Sequence, residues 1–113
     1  MMNIQANLFA GFPEHADYEL FTTLLEHPRC RIERIVSYGQ ASPEGFWYDQ
    51  DWDEWVLLVR GSAELDLSGE IYTLQPGDHL LIKAGVRHRV KSTSTIETTV
   101  WLAVHLPPNE HSL

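Results

Sequence analysis

The sequence predicts an all-β domain of the sandwich or barrel type, preceded by an N-terminal arm and one short helix. Two observations predict it. Turn signals recur along most of the chain at intervals of roughly 8–12 residues, at Gly61-Ser62, Gly69, Pro76-Gly77-Asp78 and Ala84-Gly85. The apolar segments between them are short, and Ala63-Glu64-Leu65-Asp66-Leu67 alternates cleanly, so that one face is buried and the other wetted.

From the N-terminus, the mixed segment to about Ala16 reads as an extended arm or loop with Gly11 and Pro13. Asp17 can cap a helix running to Leu25, which places Leu20, Phe21, Leu24 and Leu25 on one face. His27-Pro28 ends it, because the residue before proline avoids the helical region. Residues 1–29 are therefore expected as arm and helix, and residues 30–108 as the barrel of a single domain. Strands are expected over Arg29–Tyr38, Glu54–Arg60, Ala63–Leu67, Ile71–Leu74, His79–Lys83 and His88–Lys91. The polar run Ser92-Thr93-Ser94-Thr95 reads as a loop. A long strand over Ile96–Leu106 closes the set, and Pro107-Pro108 must end it.

The length of 113 residues suits one core. A formal charge of −8 argues against nucleic acid, whose binding modules present a basic face. Arg87 and Arg89 flank His88 as a local feature, and with Lys83 they read as a solvated face. With Cys30 as the one cysteine, no intrachain disulfide can form, and it reads as an inert thiol. The first residues lack a basic segment followed by a long apolar one, and no apolar run approaches the ~20 residues of a membrane span. The expectation is a soluble, cytoplasmic chain.

Two stretches carry chemistry. Glu54 is followed by six residues and then Gly61; Gly77 is followed by five residues and then Lys83-Ala84-Gly85-Val86-Arg87-His88. With the short intermotif segment Ser62–Pro76, they resemble the two signature motifs of the cupin superfamily over roughly residues 30–106. That resemblance implies a double-stranded β-helix, a jelly-roll barrel. It also implies a divalent metal inside, held in the family by two motif-one histidines, the motif-one glutamate and the motif-two histidine. Glu54 takes the glutamate position and His88 the motif-two histidine. The two motif-one histidine slots hold Trp47 and Asp49, or Tyr48 and Gln50. Neither pair contains histidine, Lys83 stands where proline is usual, and Ser92 stands where asparagine is common.

Glu54 and His88 are the leading metal ligands, with zinc, iron, manganese or nickel as the candidate ions. Asp49, Gln50 or His105 would complete the set. Taken alone, Glu54 reads as a solvated carboxylate, Asp49 and Gln50 as loop groups, and His105 as a core histidine. Asp51 and Asp53 read as solvated. Trp47 and Tyr48 are the substrate-binding candidates, while Trp55 and Trp101 read as core or subunit contact. The resulting expectation is a small-molecule cupin with a divalent ion in the barrel, an oxygenase or isomerase of unspecified substrate. A metal-free binding or sensor module is the competing reading, and a barrel serving only dimerisation is a third. A homodimer formed partly through the arm is expected.

Overall fold

In the segment Asp53–Arg60, Glu54, Val56 and Leu58 are buried while the residues between them are more exposed. This period of two is what a strand with one face on a core requires. The computed structural model describes residues 6–108 and builds them into eight strands. These are β1 (Leu20–His27), β2 (Cys30–Ser37), β3 (Asp53–Arg60), β4 (Ala63–Leu67), β5 (Glu70–Leu74), β6 (His79–Ile82), β7 (His88–Thr93) and β8 (Thr99–Leu106). One antiparallel sheet has the order β1-β2-β8-β3-β6 and the other β5-β4-β7. Between them lies a core of Val56, Leu58, Ala63, Leu65, Leu74, Ile82, Trp101 and Ala103. The all-β jelly-roll expectation is met.

The expected helix over Asp17–Leu25 is corrected: Leu20–His27 is the edge strand β1, paired with β2, and no helix occurs among the described residues. A register irregularity between Thr23 and Leu25 inserts an extra residue, and that bulge gives the apolar positions a spacing that mimics a helix. The β-branched pair Thr22-Thr23 favours the strand, and so short an isolated helix would be marginal. Two loop boundaries also move. Ser92 and Thr93 belong to β7, and β8 begins only at Thr99, leaving Ile96 92% exposed in a turn.

The arm from residue 6 lies against the outer face of the larger sheet. Arg34 donates from Nη1 to the carbonyls of Leu8 (3.2 Å) and Ala10 (2.6 Å), and its guanidinium packs over the Phe12 ring. No helix among these residues is long and apolar enough to cross a membrane.

Gly61, the motif glycine, turns the chain from β3 to β4 at φ +92°, and a Cβ there would sit 2.7 Å from Thr99 Cα. Gly77 has a similar φ of +94° but open space around it. Gly61→Ala should therefore destabilise the fold by more than about 2 kcal/mol, from left-handed strain and collision with β8 together. Gly77→Ala should cost only about 1 kcal/mol, from strain alone. Denaturant midpoints of the two variants check this, and equal losses would contradict it.

Candidate functional site

A cavity of about 80 Å³, open at its mouth, lies between the two sheets. Its wall is largely apolar, with Ile35, Val56, Leu65, Ile82, Val90 and Trp101 contributing. Its polar groups are Glu19, Tyr48, Gln50, Glu54 and His88, and no lysine or arginine lines it among the described residues.

Each polar group is placed by strand register. Glu54 continues the inward face of β3 below Val56. His88 begins β7 and points inward opposite Leu67. Tyr48 lies outside any strand, yet pairs with His88 in an isolated antiparallel bridge. Tyr48 N donates to His88 O at 2.7 Å, and His88 N donates to Tyr48 O at 3.0 Å. Residues paired this way project to the same side, so the Tyr48 and His88 rings stack with centroids 5.5 Å apart and planes at 22°. Two residues on, Gln50 lines the cavity as well, and its carbonyl accepts from Gly85 N.

The bridge resolves which pair occupies the two motif-one slots. Tyr48 and Gln50 face the cavity, whereas Asp49 is exposed and Trp47 lies outside the lining. The Trp47 ring is covered by the Arg87 and Arg89 guanidinium groups, at 4.9 and 5.9 Å. Of the candidate site residues, Asp49 and Trp47 are thus not brought to the cavity. Pleating turns alternate side chains to opposite sides. Asp53 is also not simply solvated, since its Oδ1 accepts from Ala84 N at 2.8 Å and ties the turn before His88.

His88 and Glu54 are 6% and 7% exposed, and His88 Nε2 stands 3.7 Å from Glu54 Oε1. The other ring nitrogen, Nδ1, is 3.0 Å from the Val86 carbonyl and donates its proton there, which leaves Nε2 as an open lone pair. Burial lowers the His88 pKa, countered partly by the Val86 bond and the Asp49 charge. Burial also pushes Glu54 up to about 7, with the Glu33 carboxylate adding to the rise. The Gln50 amide and the field of Arg31 act the other way. The amide oxygen Gln50 Oε1 is buried with no hydrogen-bond partner.

His105 faces inward at the end of β8, in register with Glu54, but both its nitrogens are taken. Trp52 Nε1 donates to Nδ1 at 2.8 Å, so the proton of the neutral ring sits on Nε2, which contacts Glu33 Oε1 at 3.3 Å. Both ring nitrogens of His105 are thus occupied by protein partners. Trp101 is core, as expected, whereas Trp55 lies half-buried on the outer face against His79.

Sequence reasoning missed Glu19, Glu33 and Ser37. Glu19 lay in the segment read as a helix. Glu33 and Ser37 share the inward positions of β2 with Ile35, a period of two that the sequence does contain.

Comparison with known proteins fits this architecture. Residues 35–105 match the cupin domain family. The chain is a cupin. A Ralstonia eutropha protein provisionally named a mannose-6-phosphate isomerase is 50% identical, with a TM-score of 0.89 over 93% of this chain and 99% of that one. A cupin superfamily protein of Desulfitobacterium hafniense shares the fold at 18% identity, with a TM-score of 0.71 over 85% of this chain and 84% of its own. Human 3-hydroxyanthranilate 3,4-dioxygenase is 33% identical over 60 residues, 53% of this cupin. That match spans only 20% of the human protein's length.

The raised Glu54 pKa has a consequence for stability. Below its unfolded value of 4.5 the group is protonated in both states; above about 7 it is ionised in both, and the folded state carries a desolvated anion. Stability from this group is thus fully present below pH 4.5 and lost as pH rises through about 7. In chelator-treated protein, Glu54→Gln should gain on the order of 3 kcal/mol over wild type at pH 8 relative to pH 4. Paired melting curves at the two pH values measure this, and a constant difference between the proteins would refute it.

Proposed function

We propose that this cupin holds a divalent cation and a small molecule together in its barrel, as an enzyme of the oxygenase or isomerase kind. The ligands are His88 Nε2, the Glu54 carboxylate and Gln50 Oε1. The observation that carries this reading is the buried, unpartnered Gln50 oxygen of a side chain that shares one cavity with the open His88 lone pair and the Glu54 carboxylate. A buried polar atom without a partner costs about 1–3 kcal/mol, and a cation would satisfy all three donors at once.

The residues fit such an ion. Two donors each about 2.1 Å from one tetrahedral ion stand roughly 3.4 Å apart, and the Glu54–His88 separation is 3.7 Å. One imidazole nitrogen, one carboxylate and one amide oxygen form a hard to borderline set that suits manganese, iron, zinc or nickel over a soft ion. Among the described residues no three His, Cys, Asp or Glu side chains converge, so the amide is what raises the set to three. When bound, the ion would supply Lewis acidity to a coordinated oxygen of the substrate or of water. The chain's own residues do the rest. Tyr48 stays protonated, because burial and the neighbouring carboxylates raise its pKa, and it offers a phenol donor above His88. The apolar wall excludes water. The reaction classes draw support from the names of the Ralstonia and human relatives.

One observation favours a metal-free alternative. Glu54, raised to about 7 and set against a neutral imidazole, has the pKa of a general acid–base pair. Elemental analysis of protein purified without chelator decides between the two. We expect about one divalent ion per chain. Affinity should fall by at least roughly tenfold in His88→Ala, Glu54→Gln and Gln50→Ala, and hold in Asp49→Ala and His105→Ala. Sub-stoichiometric metal, indifferent to the first three variants, would sink the metal reading.

A further inference from the structure

The cavity has a second polar end, built on Glu19. Trp101 Nε1 donates to Ser37 Oγ at 3.1 Å in the buried interior. An indole nitrogen can only donate, so Ser37 accepts that bond and its own hydroxyl proton points to Glu19 Oε2. Ser37 is fully buried and Trp101 is 4% exposed, so this chain of two bonds is held rigidly by the core. It is the only hydrogen bond the Glu19 carboxyl makes among the described residues. Glu19 and Glu54 both line the cavity, and the fields of both act on Tyr48, which also lines it.

The lining therefore contains two carboxyl groups and no cationic side chain. Arg31 reaches Glu54 only through its field, and the Glu33 carboxylate outweighs it there. His88, buried and with its Nε2 free of any hydrogen bond, faces the same space, so the cavity is built to receive something rather than to be filled by protein. An O–H or N–H group would find an oriented acceptor at Glu19, with the apolar wall covering its carbon frame.

We propose that Glu19, positioned by Ser37 and Trp101, anchors the donor group of a small, largely apolar ligand, a hydroxyl- or amine-bearing molecule. This deepens the proposed function, since it takes the same cavity as the ligand site.

The test is a calorimetric titration of chelator-treated protein with benzylamine, benzyl alcohol and toluene. Benzylamine and benzyl alcohol should bind, and toluene, which carries no donor group, should bind at least tenfold more weakly. Glu19→Gln should lose at least tenfold in benzylamine affinity. The Trp101 indole N–H resonance should shift on benzylamine binding to wild type, because it reports on Glu19 through Ser37. This readout decides the matter should Glu19→Gln fold poorly. Toluene binding as tightly as benzylamine overturns the proposal. So do the absence of binding by any probe, unchanged affinity in a folded Glu19→Gln and a silent indole resonance. Because no metal is present in the titration, any of these beside a normal metal content in elemental analysis overturns the ligand class and leaves the metal reading standing. The expected probe series beside absent metal does the reverse.

Discussion

The pocket depends on one backbone contact, the reciprocal hydrogen bonds between Tyr48 and His88. The segment ahead of β3 has no strand of its own to hold it. Paired to the start of β7, it acquires the pleat of the smaller sheet, and its alternate side chains divide between cavity and solvent. Tyr48 and Gln50 fall inside. Trp47 falls outside, between two arginines, and Asp49 into water. A slip of one residue would exchange the two pairs and put a carboxylate and an indole where an amide and a phenol now stand.

What this contact assembles is electrostatically unbalanced. Glu54 and His88 are both held toward their neutral forms, by the same cause acting in opposite directions on an acid and a base. They form no hydrogen bond with each other at 3.7 Å, and the buried Gln50 amide oxygen has no partner at all. A core selected for stability alone would place apolar side chains here, as it does one turn of the pleat away at Val56. By contrast, the His105–Glu33–Trp52 cluster at the end of the sheet is satisfied, and its imidazole is committed to both neighbours. His88 and His105 thus have different capacities, decided by what their second nitrogens touch.

Much of the fold was legible because strand periodicity and turn residues are local. Ala63–Leu67 alternates in sequence and in burial alike, and Gly61 and Gly77 mark turns that their positive φ angles require. Legibility failed at β1 because a bulge is not local information. The extra residue near Leu24 is defined only against the partner strand, and without that partner the spacing imitates a helix. In the site, Glu54 and His88 were legible from motif spacing. Glu19 and Glu33 were not, since each matters only through neighbours that are distant in sequence.

By itself, then, the sequence determined the all-β class, the turns, and the two residues whose spacing from glycine places them at matching ends of adjacent motifs. Those are properties of a single strand or turn, set by backbone angles and by side-chain alternation over a few residues. Only the tertiary structure decided that Gln50 rather than Asp49 faces Glu54, that His105 has no free nitrogen, and that Glu19 joins the cavity lining. Each of those depends on the register between segments far apart in the chain. Register is fixed by hydrogen bonds and packing across strands, which no single segment contains.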